Sequence, residues 1–481
     1  MQGMDENTIF QPQPSLTWPQ PTIGTEGRQP EVLVNNPIMS PVPDELPSSP
    51  PPSPIFKILK IILGIGIILA VFFLILNFVL PKVFKKSITT TTLAYWGLWE
   101  DSPQVQLVIS DFEQNHPGIK ISYSKQDIKD YRDRLITRTN NGNGPDIFRF
   151  HNSWVPMLTD FLLPLPNGAI TKEEFTKNYY PVAKEDLIRN GAIYGIPLQI
   201  DTLNLYINKD LFVSSGLKPP TTWIEFGNHA RQLTVKDESN NIKTAGAAMG
   251  TYSNITHAPD IMSMLFAQNG VDLKNISANS KNAADALNFY SSFALPSANV
   301  WDDTLDSSIK MFASGSLAMY FGYSWDFFTI KSMNPGLSFD IVAVPSLPGQ
   351  SATTASYWVE GVSSKTQHQK EALLFIKYLA QKEVSQKLFS EQSKTRNFGE
   401  PYARVDLADS LKDTIIYPFV ANANFAISSF FVDGTYDNGI NSQMNTYLEN
   451  AVNSMLKGGS PESAAETLSL GVTQILKQYG Q

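Results

Sequence analysis

Residues 61–80 are apolar at every position but one, Asn77 being the only strongly polar side chain in the run. As a helix rising about 1.5 Å per residue, Ile61 to Leu80 reaches about 30 Å, the depth of a bilayer's hydrocarbon, so one transmembrane span is predicted. The run is longer than a signal peptide's and lies deep in the chain. Pro81, Lys82, Val83 and Phe84 follow it in place of a small-x-small cleavage site, so it is expected to remain as an uncleaved anchor. Beyond it, short β-type runs alternate with helical periodicity: Thr90 to Trp96, Val105 to Glu113, Ile119 to Tyr123, Tyr131 to Thr139 and Ile147 to Phe150. This βαβ rhythm predicts a mainly parallel sheet. Asn140 to Pro145 punctuate the last crossover. The chain then delivers Phe148 to Trp154 at a strand's C-terminal end, where open α/β sheets bind ligands. Further strand-rich pieces at Tyr194 to Ile207, Leu317 to Tyr323, Phe339 to Val344 and Tyr357 to Val362 are interleaved with helices, including Gln369 to Ala380 and Gln443 to Leu456. Lys281 to Phe293 and Pro461 to Tyr479 are amphipathic; the second opens with Ser460 as N-cap and Pro461 at the first helical position, and ends at Gly480.

Composition divides the chain further. Residues 1–56 hold 13 of the 32 prolines, and their acids outnumber Arg28, the single basic residue, so a disordered acidic tail is expected there. Residues 57–80 are then the transmembrane helix and 81–90 a short linker. Lys57 and Lys60 precede the span and Lys82, Lys85 and Lys86 follow it, a count that slightly disfavours export of the C-terminal part. Large domains translocate largely regardless of such charges, and the C-terminal body is expected outside the cell with the tail inside. With 42% hydrophobic and 17% charged residues the chain is not a wholly disordered one. Its net charge of −8 argues against a nucleic-acid partner, which would call for a basic surface. The absence of cysteine excludes disulfides, thiolate metal sites, thiol catalysis and lipid attachment through an N-terminal Cys. Five histidines stand far apart, with no HExxH spacing, so neither a metal nor a cofactor is expected.

Motifs of catalysis are missing: no GxSxG, no GxxxxGK[ST] and no GxGxxG after a strand. Neighbouring acids occur at Glu173 and Glu174, Asp302 and Asp303, and Asp433 and Asp437. The stretch Asp433 to Gly439 resembles a fragment of a calcium loop but lacks its 1, 3, 5 spacing and terminal Glu, which leaves a turn or helix cap. What accumulates instead is aromatic residues beside polar ones at segment ends: Tyr95, Trp96 and Trp99; His151, Asn152 and Trp154; Tyr323, Ser324 and Trp325; Tyr357, Trp358 and Glu360. A flat ring covers the apolar face of a pyranose while amides and carboxylates fix its hydroxyls, so this combination points to carbohydrate.

Six stretches carry a family likeness: Asn115 to Lys120, Gly144 to Ile147, Tyr194 to Pro197, Leu205 to Phe212, Pro219 to Phe226 and Phe312 to Met319. Their order and spacing resemble the extracellular solute-binding proteins of ATP-driven importers, in the maltose-binding-protein-like subgroup. The resemblance runs from about Thr91 to Tyr479. It implies an α/β, two-lobed periplasmic-binding-protein-like fold of type II, whose lobes are joined by crossing strands and close on ligand by hinge motion. Crossings are expected near Gln199 to Leu203 and near Tyr357 to Gly361. Lobe one is then 88–201 plus 360–415, and lobe two 203–357 plus 416–481. The turn after the first strand (Trp96, Trp99), the turn after Ile147 (His151, Asn152) and the Gly322 to Trp325 turn match places where family members touch sugar. Asp201 at the first crossing, Tyr252, Trp325, and Tyr357, Trp358 and Glu360 at the second complete the expected binding set.

The likeness also implies a binding protein rather than an enzyme, with a permease and a separate ATPase as partners and the bilayer held through residues 61–80. An anchor here replaces the family's usual cleaved leader or lipidated Cys. The Trp96 to Trp99 turn lacks the charges that maltose binders carry there, so carbohydrate in general is implied. Two other classes stay open: a surface sensor or adhesin using the same fold, and a glycoside hydrolase pairing Asp201 with Glu360.

Overall fold

The computed structural model describes residues 54–79, 90–296 and 299–481, and the chain divides into two compact units, Met1–Lys86 and Ser87–Gln481. The expected acidic tail up to residue 53 and the linker over 81–89 lie outside the described residues.

In the first unit a helix runs over Pro54–Leu74 and continues as a π-helical turn, Ile75–Val79. Its opening at Pro54 uses a residue whose missing N–H has no helical partner at that position in any case. The segment Ile58–Asn77, with mean hydropathy 3.0, is long and apolar enough to cross a membrane. Asn77 turns its amide back on its own helix, Nδ2 donating to the Phe73 carbonyl at 3.0 Å.

The second unit is built on two five-stranded sheets. The first runs in the order Ile119–Lys125, Thr91–Gly97, Ile147–His151, Trp358–Val362, Ile196–Pro197. Its first three strands are parallel, as the βαβ pattern predicts, and Trp358–Val362 enters antiparallel to both neighbours. The second sheet runs Phe339–Val342, Asn204–Asn208, Leu317–Gly322, Ile242–Ala247, Val235–Lys236. Ile147–His151, Asn204–Asn208 and Leu317–Gly322 are buried along their whole length, which explains their lack of polar alternation.

A third, three-stranded sheet joins the other two. Asp201–Thr202 pairs antiparallel with Ala355–Ser356, and Thr353–Thr354 pairs parallel with Ala426–Ile427. The run Tyr194 to Ile207, which reads as one strand-rich piece, is therefore distributed over three sheets: Ile196–Pro197 in the first, Asp201–Thr202 in the crossing and Asn204–Asn208 in the second. Chain that changes sheet stays extended and buried, so its hydropathy carries no mark of the crossing.

Local chemistry sets the helix ends. Thr171 with Glu174 and Thr222 with Glu225 form capping boxes. Gly315, at φ +82°, takes the left-handed turn between the helix Ser308–Ala313 and the strand Leu317–Gly322. At Gly246 the helix Trp223–Leu233 approaches so closely that a Cβ would meet the Ala230 carbonyl oxygen at 1.8 Å. The helices Ser280–Ser291, Ile440–Leu456 and Pro461–Gln478 pack on one another, and Ser460 Oγ caps the last by accepting from Ser463 N at 3.2 Å.

Candidate ligand site at the crossing strands

Antiparallel pairing sets Trp358 opposite His151. The Trp358 ring lies 5.1 Å from His151, 5.4 Å from Trp154 and 5.6 Å from Trp99, edge to face in each case. Trp154 is fully buried and Trp358 is 9% exposed, so the open ring of this cluster is Trp99, 45% exposed and held at φ +67°. Trp96 is half-buried against Tyr131, with ring centroids 6.4 Å apart. His151 is buried between hydroxyls, Nδ1 2.7 Å from Ser153 Oγ and Nε2 3.0 Å from Ser356 Oγ. Burial pushes its pKa down to about 3, and the imidazole is neutral.

Asn152 and Tyr357 lie beside this cluster with their polar atoms turned on one another. Asn152 Oδ1 accepts from Tyr357 N at 3.2 Å and its Nδ2 donates to Asp186 at 2.9 Å, while the Tyr357 hydroxyl donates to the same carboxylate at 2.5 Å. The Ser428 hydroxyl donates to the second Asp186 oxygen. Asp186 thereby joins three chain segments, and burial raises its pKa against those bonds.

Glu360 is almost completely buried, and its Oε1 accepts from Arg149 Nε at 2.6 Å. Arg149 Nη1 also donates to the Leu98 carbonyl at 3.0 Å and to Glu100. Burial works against the guanidinium charge, and Glu100 and Glu360 outweigh it, so Arg149 holds its proton firmly. Glu360 is thus part of an ion-paired interior at the first sheet, not of the open ring surface.

The second sheet ends in another aromatic group. Where Leu317–Gly322 gives way to the helix Ser324–Met333, the Tyr323 and Trp325 rings stack at 4.4 Å and 19°, with Trp325 37% exposed. Beneath them lies a buried polar cluster. His257 Nε2 is 2.8 Å from Asp326 Oδ2 and its Nδ1 3.3 Å from Asp433 Oδ2; the Tyr323 hydroxyl donates to Asp260 at 2.8 Å. Burial opposes the His257 charge, but the two carboxylates outweigh it and lift its pKa well above the ordinary value. Asp260, with burial as the main cause, is pushed up to about 7. Tyr252 is half-buried and donates to the Asn445 carbonyl at 3.2 Å.

One backbone pair ties the two groups together. Asp201 and Ser356 are register partners in the crossing sheet. Ser356 bonds His151 of the first aromatic group, and Asp201 Oδ2 accepts from Ser324 N at 2.9 Å, beside Trp325 of the second, and from the Ser324 hydroxyl. Asp201 Oδ1 is buried without a partner, and burial lifts the Asp201 pKa well above the usual carboxylate range. Asp201 and Glu360 sit in separate networks and share no hydrogen-bonding partner.

A family model described as bacterial extracellular solute-binding protein matches residues 108–415. The chain belongs to that family. As a solute-binding protein it is similar to the "Multiple sugar-binding protein" of Streptococcus mutans, 27% identical over 303 residues, which span 59% of this chain and 69% of that one. It is also similar to a maltooligosaccharide ABC transporter solute-binding lipoprotein of Streptococcus pneumoniae, 24% identical over 49% of this chain and 55% of that one. Among solved structures, the sugar-binding protein MalE of Xanthomonas citri matches with TM-score 0.65 at 19% identity, covering 81% of this chain and 98% of that chain. These likenesses establish the two-lobed, maltose-binding-protein-like fold, and the members of the family are binding proteins.

Of the residues expected from sequence, the structure gathers Trp99, His151 and Trp358 at one ring cluster and Trp325 at the other, with Asp201 at the crossing between them. Trp96 reaches the first cluster through Tyr131, whose ring lies 6.2 Å from Trp154; Tyr252 binds the Asn445 carbonyl, Asn152 and Tyr357 bind Asp186, and Glu360 binds Arg149. The reading of the sequence missed Asp186, His257, Asp260 and Asp326. Only His257-Ala258-Pro259-Asp260, a helix start with Pro inside its first turn, carried a local signal.

Proposed function

We propose that this solute-binding protein takes a carbohydrate between its two aromatic clusters, is tethered to the membrane by Ile58–Asn77, and hands ligand to a separate permease and ATPase. The observation that carries this reading is the Asp201–Ser356 pair, flanked by His151 and the tryptophans around it on one side and by Ser324 and Trp325 on the other. Ring faces beside carboxylates suit a pyranose. Lobe one is assigned to 88–201 with 360–415 and lobe two to 203–357 with 416–481. The sugar-binding and ABC-transporter relatives support sugar as the ligand class and an importer as the setting.

Thermal melting of the full chain in lipid nanodiscs tests the reading against maltotetraose, mannotriose and tagatose. A sugar at a hundred times its Kd stabilises the fold by about 2.7 kcal/mol, a readable rise in Tm. Unchanged melting and no calorimetric heat with these or other mono- and oligosaccharides would sink it.

A further inference from the structure

The segment from Asp433 to Asn441 is held from both lobes. On the second-sheet side the Asp433 amide donates to Asp260 Oδ2 at 3.0 Å, and its carboxylate accepts from the His257 amide at 3.3 Å and lies 3.3 Å from the ring's Nδ1. On the first-sheet side Asn438 Nδ2 donates to Asp130 at 3.1 Å and to Asp133 at 3.4 Å, and Asn441 Oδ1 accepts from Ser153 Oγ at 2.9 Å. Ser153 is the residue that also bonds His151 under the first ring cluster. The segment is therefore a strap across the site, and its far anchor is the group around His257.

That anchor also holds the second ring cluster. The His257 ring stands edge-on to Tyr323 at 5.0 Å and to Trp325 at 6.1 Å. Asp326, which takes His257 Nε2, also accepts from the Tyr323 amide at 2.9 Å. His257 sits at φ +64°, a left-handed conformation that a residue with a side chain keeps only when its contacts impose it.

We propose that His257, as an imidazolium hydrogen-bonded through Nε2 to Asp326 and facing Asp433 by charge, is a positioning residue for ligand binding, which seats the 433–441 strap beside the Tyr323–Trp325 ring pair and loosens the strap on losing its Nδ1 proton, Nε2 keeping Asp326. The proposal rests on reading that ring pair as part of the carbohydrate site. The titratable groups facing His257 are Asp326 and Tyr323 from the strand-helix turn, Asp433 from the strap, and Asp260 from its own helix. All are acids, so the cluster attracts a cation and gains none from elsewhere. Because the folded pKa is raised, the clamp is fully present below the ordinary imidazole value of about 6.5 and is lost as pH rises through the raised one.

Hydrogen exchange of residues 430–438 in the full chain, without ligand, tests the clamp across about pH 6 to pH 10, with intrinsic exchange rates divided out. Wild type is expected to protect this segment at least several-fold better than His257→Gln or Asp433→Asn at the acid end, where the raised pKa keeps the clamp fully present. The three proteins are expected to converge at the alkaline end. Equal protection at about pH 6, or a wild-type advantage that persists undiminished to about pH 10, overturns the proposal. Should His257→Gln lose its native circular dichroism, Asp433→Asn decides, since that side chain is 43% exposed and the change conserves its shape. Titration of the same proteins with maltotetraose and mannotriose keeps the two readings apart. Sugar binding that weakens in the variants supports both. A wild type that binds no sugar yet shows the exchange difference overturns the carbohydrate reading and leaves the clamp standing.

Discussion

Trp325 and Trp154 belong to neighbouring ring clusters but differ in burial, and that difference sorts their roles. Trp325 is 37% exposed over the Tyr323 ring, whereas Trp154 has no exposed surface. Trp325→Ala is expected to weaken sugar binding by roughly 1–3 kcal/mol, about ten- to a hundred-fold, with little change in Tm, because an open ring leaves no core cavity. Trp154→Ala is expected to cost about 3–5 kcal/mol of stability. Titration calorimetry and a melting curve on each variant check the pair; a Trp325→Ala protein that melts far lower yet binds normally contradicts the assignment. His151 supplies a second residue-scale outcome. With its pKa lowered to about 3, the neutral ring's contribution is present above the ordinary value of about 6.5 and lost as pH falls toward 3. Chemical unfolding between those limits should show a loss of up to about 4 kcal/mol that His151→Gln reduces. Aromatic residues beside polar ones were legible from sequence at this scale. The partners of Asn152, Tyr357 and Glu360 were not, because Asp186 lies 34 and 171 residues from the first two and Arg149 lies 211 from the third in sequence.

At the scale of elements, the turn Asp433 to Gly439 serves as a cap. Asp437 is wholly buried, and its carboxylate accepts from the amides of Gly439, Asn441 and Ser442 at 3.1, 2.9 and 3.1 Å at the start of Ile440–Leu456. Asp437→Ala leaves those donors without an acceptor and is expected to cost about 2 kcal/mol or more, read as a lower midpoint in chemical unfolding. A midpoint within about 0.5 kcal/mol of wild type would show that water replaces the carboxylate without loss. Helix starts of this kind are written locally: the Ser460–Pro461 opening appears where the sequence places it, and the Thr222–Glu225 box closes within four residues. The helix at Gln443 to Leu456 begins earlier than its periodicity suggests, at Ile440, because the Asp437 cap lies ahead of the first apolar repeat.

At the scale of the whole molecule, the proposed tether Ile58–Asn77 makes a prediction about where the binding unit resides. Protease added to intact cells is expected to remove the body while a tag at residue 1 survives. A protected body, or a mature chain beginning after Leu80, contradicts that orientation. The existence of the span, the alternation of strands and helices, most helix caps and the aromatic-polar pairing were determined by the sequence itself, because each depends on residues within a few positions of one another. Only the tertiary structure decided that Tyr194 to Ile207 passes through three sheets, that Asp201 and Ser356 become partners, and that His257, Asp326 and Asp433 share one charge cluster. Those outcomes rest on contacts between segments more than 60 residues apart, the closest being His257 with Asp326 at a separation of 69. Burial then alters the chemistry of the groups it gathers: it pushes the pKa of the same side chain type down at His151, where no carboxylate meets the ring, and is outweighed at His257, where two carboxylates lift it.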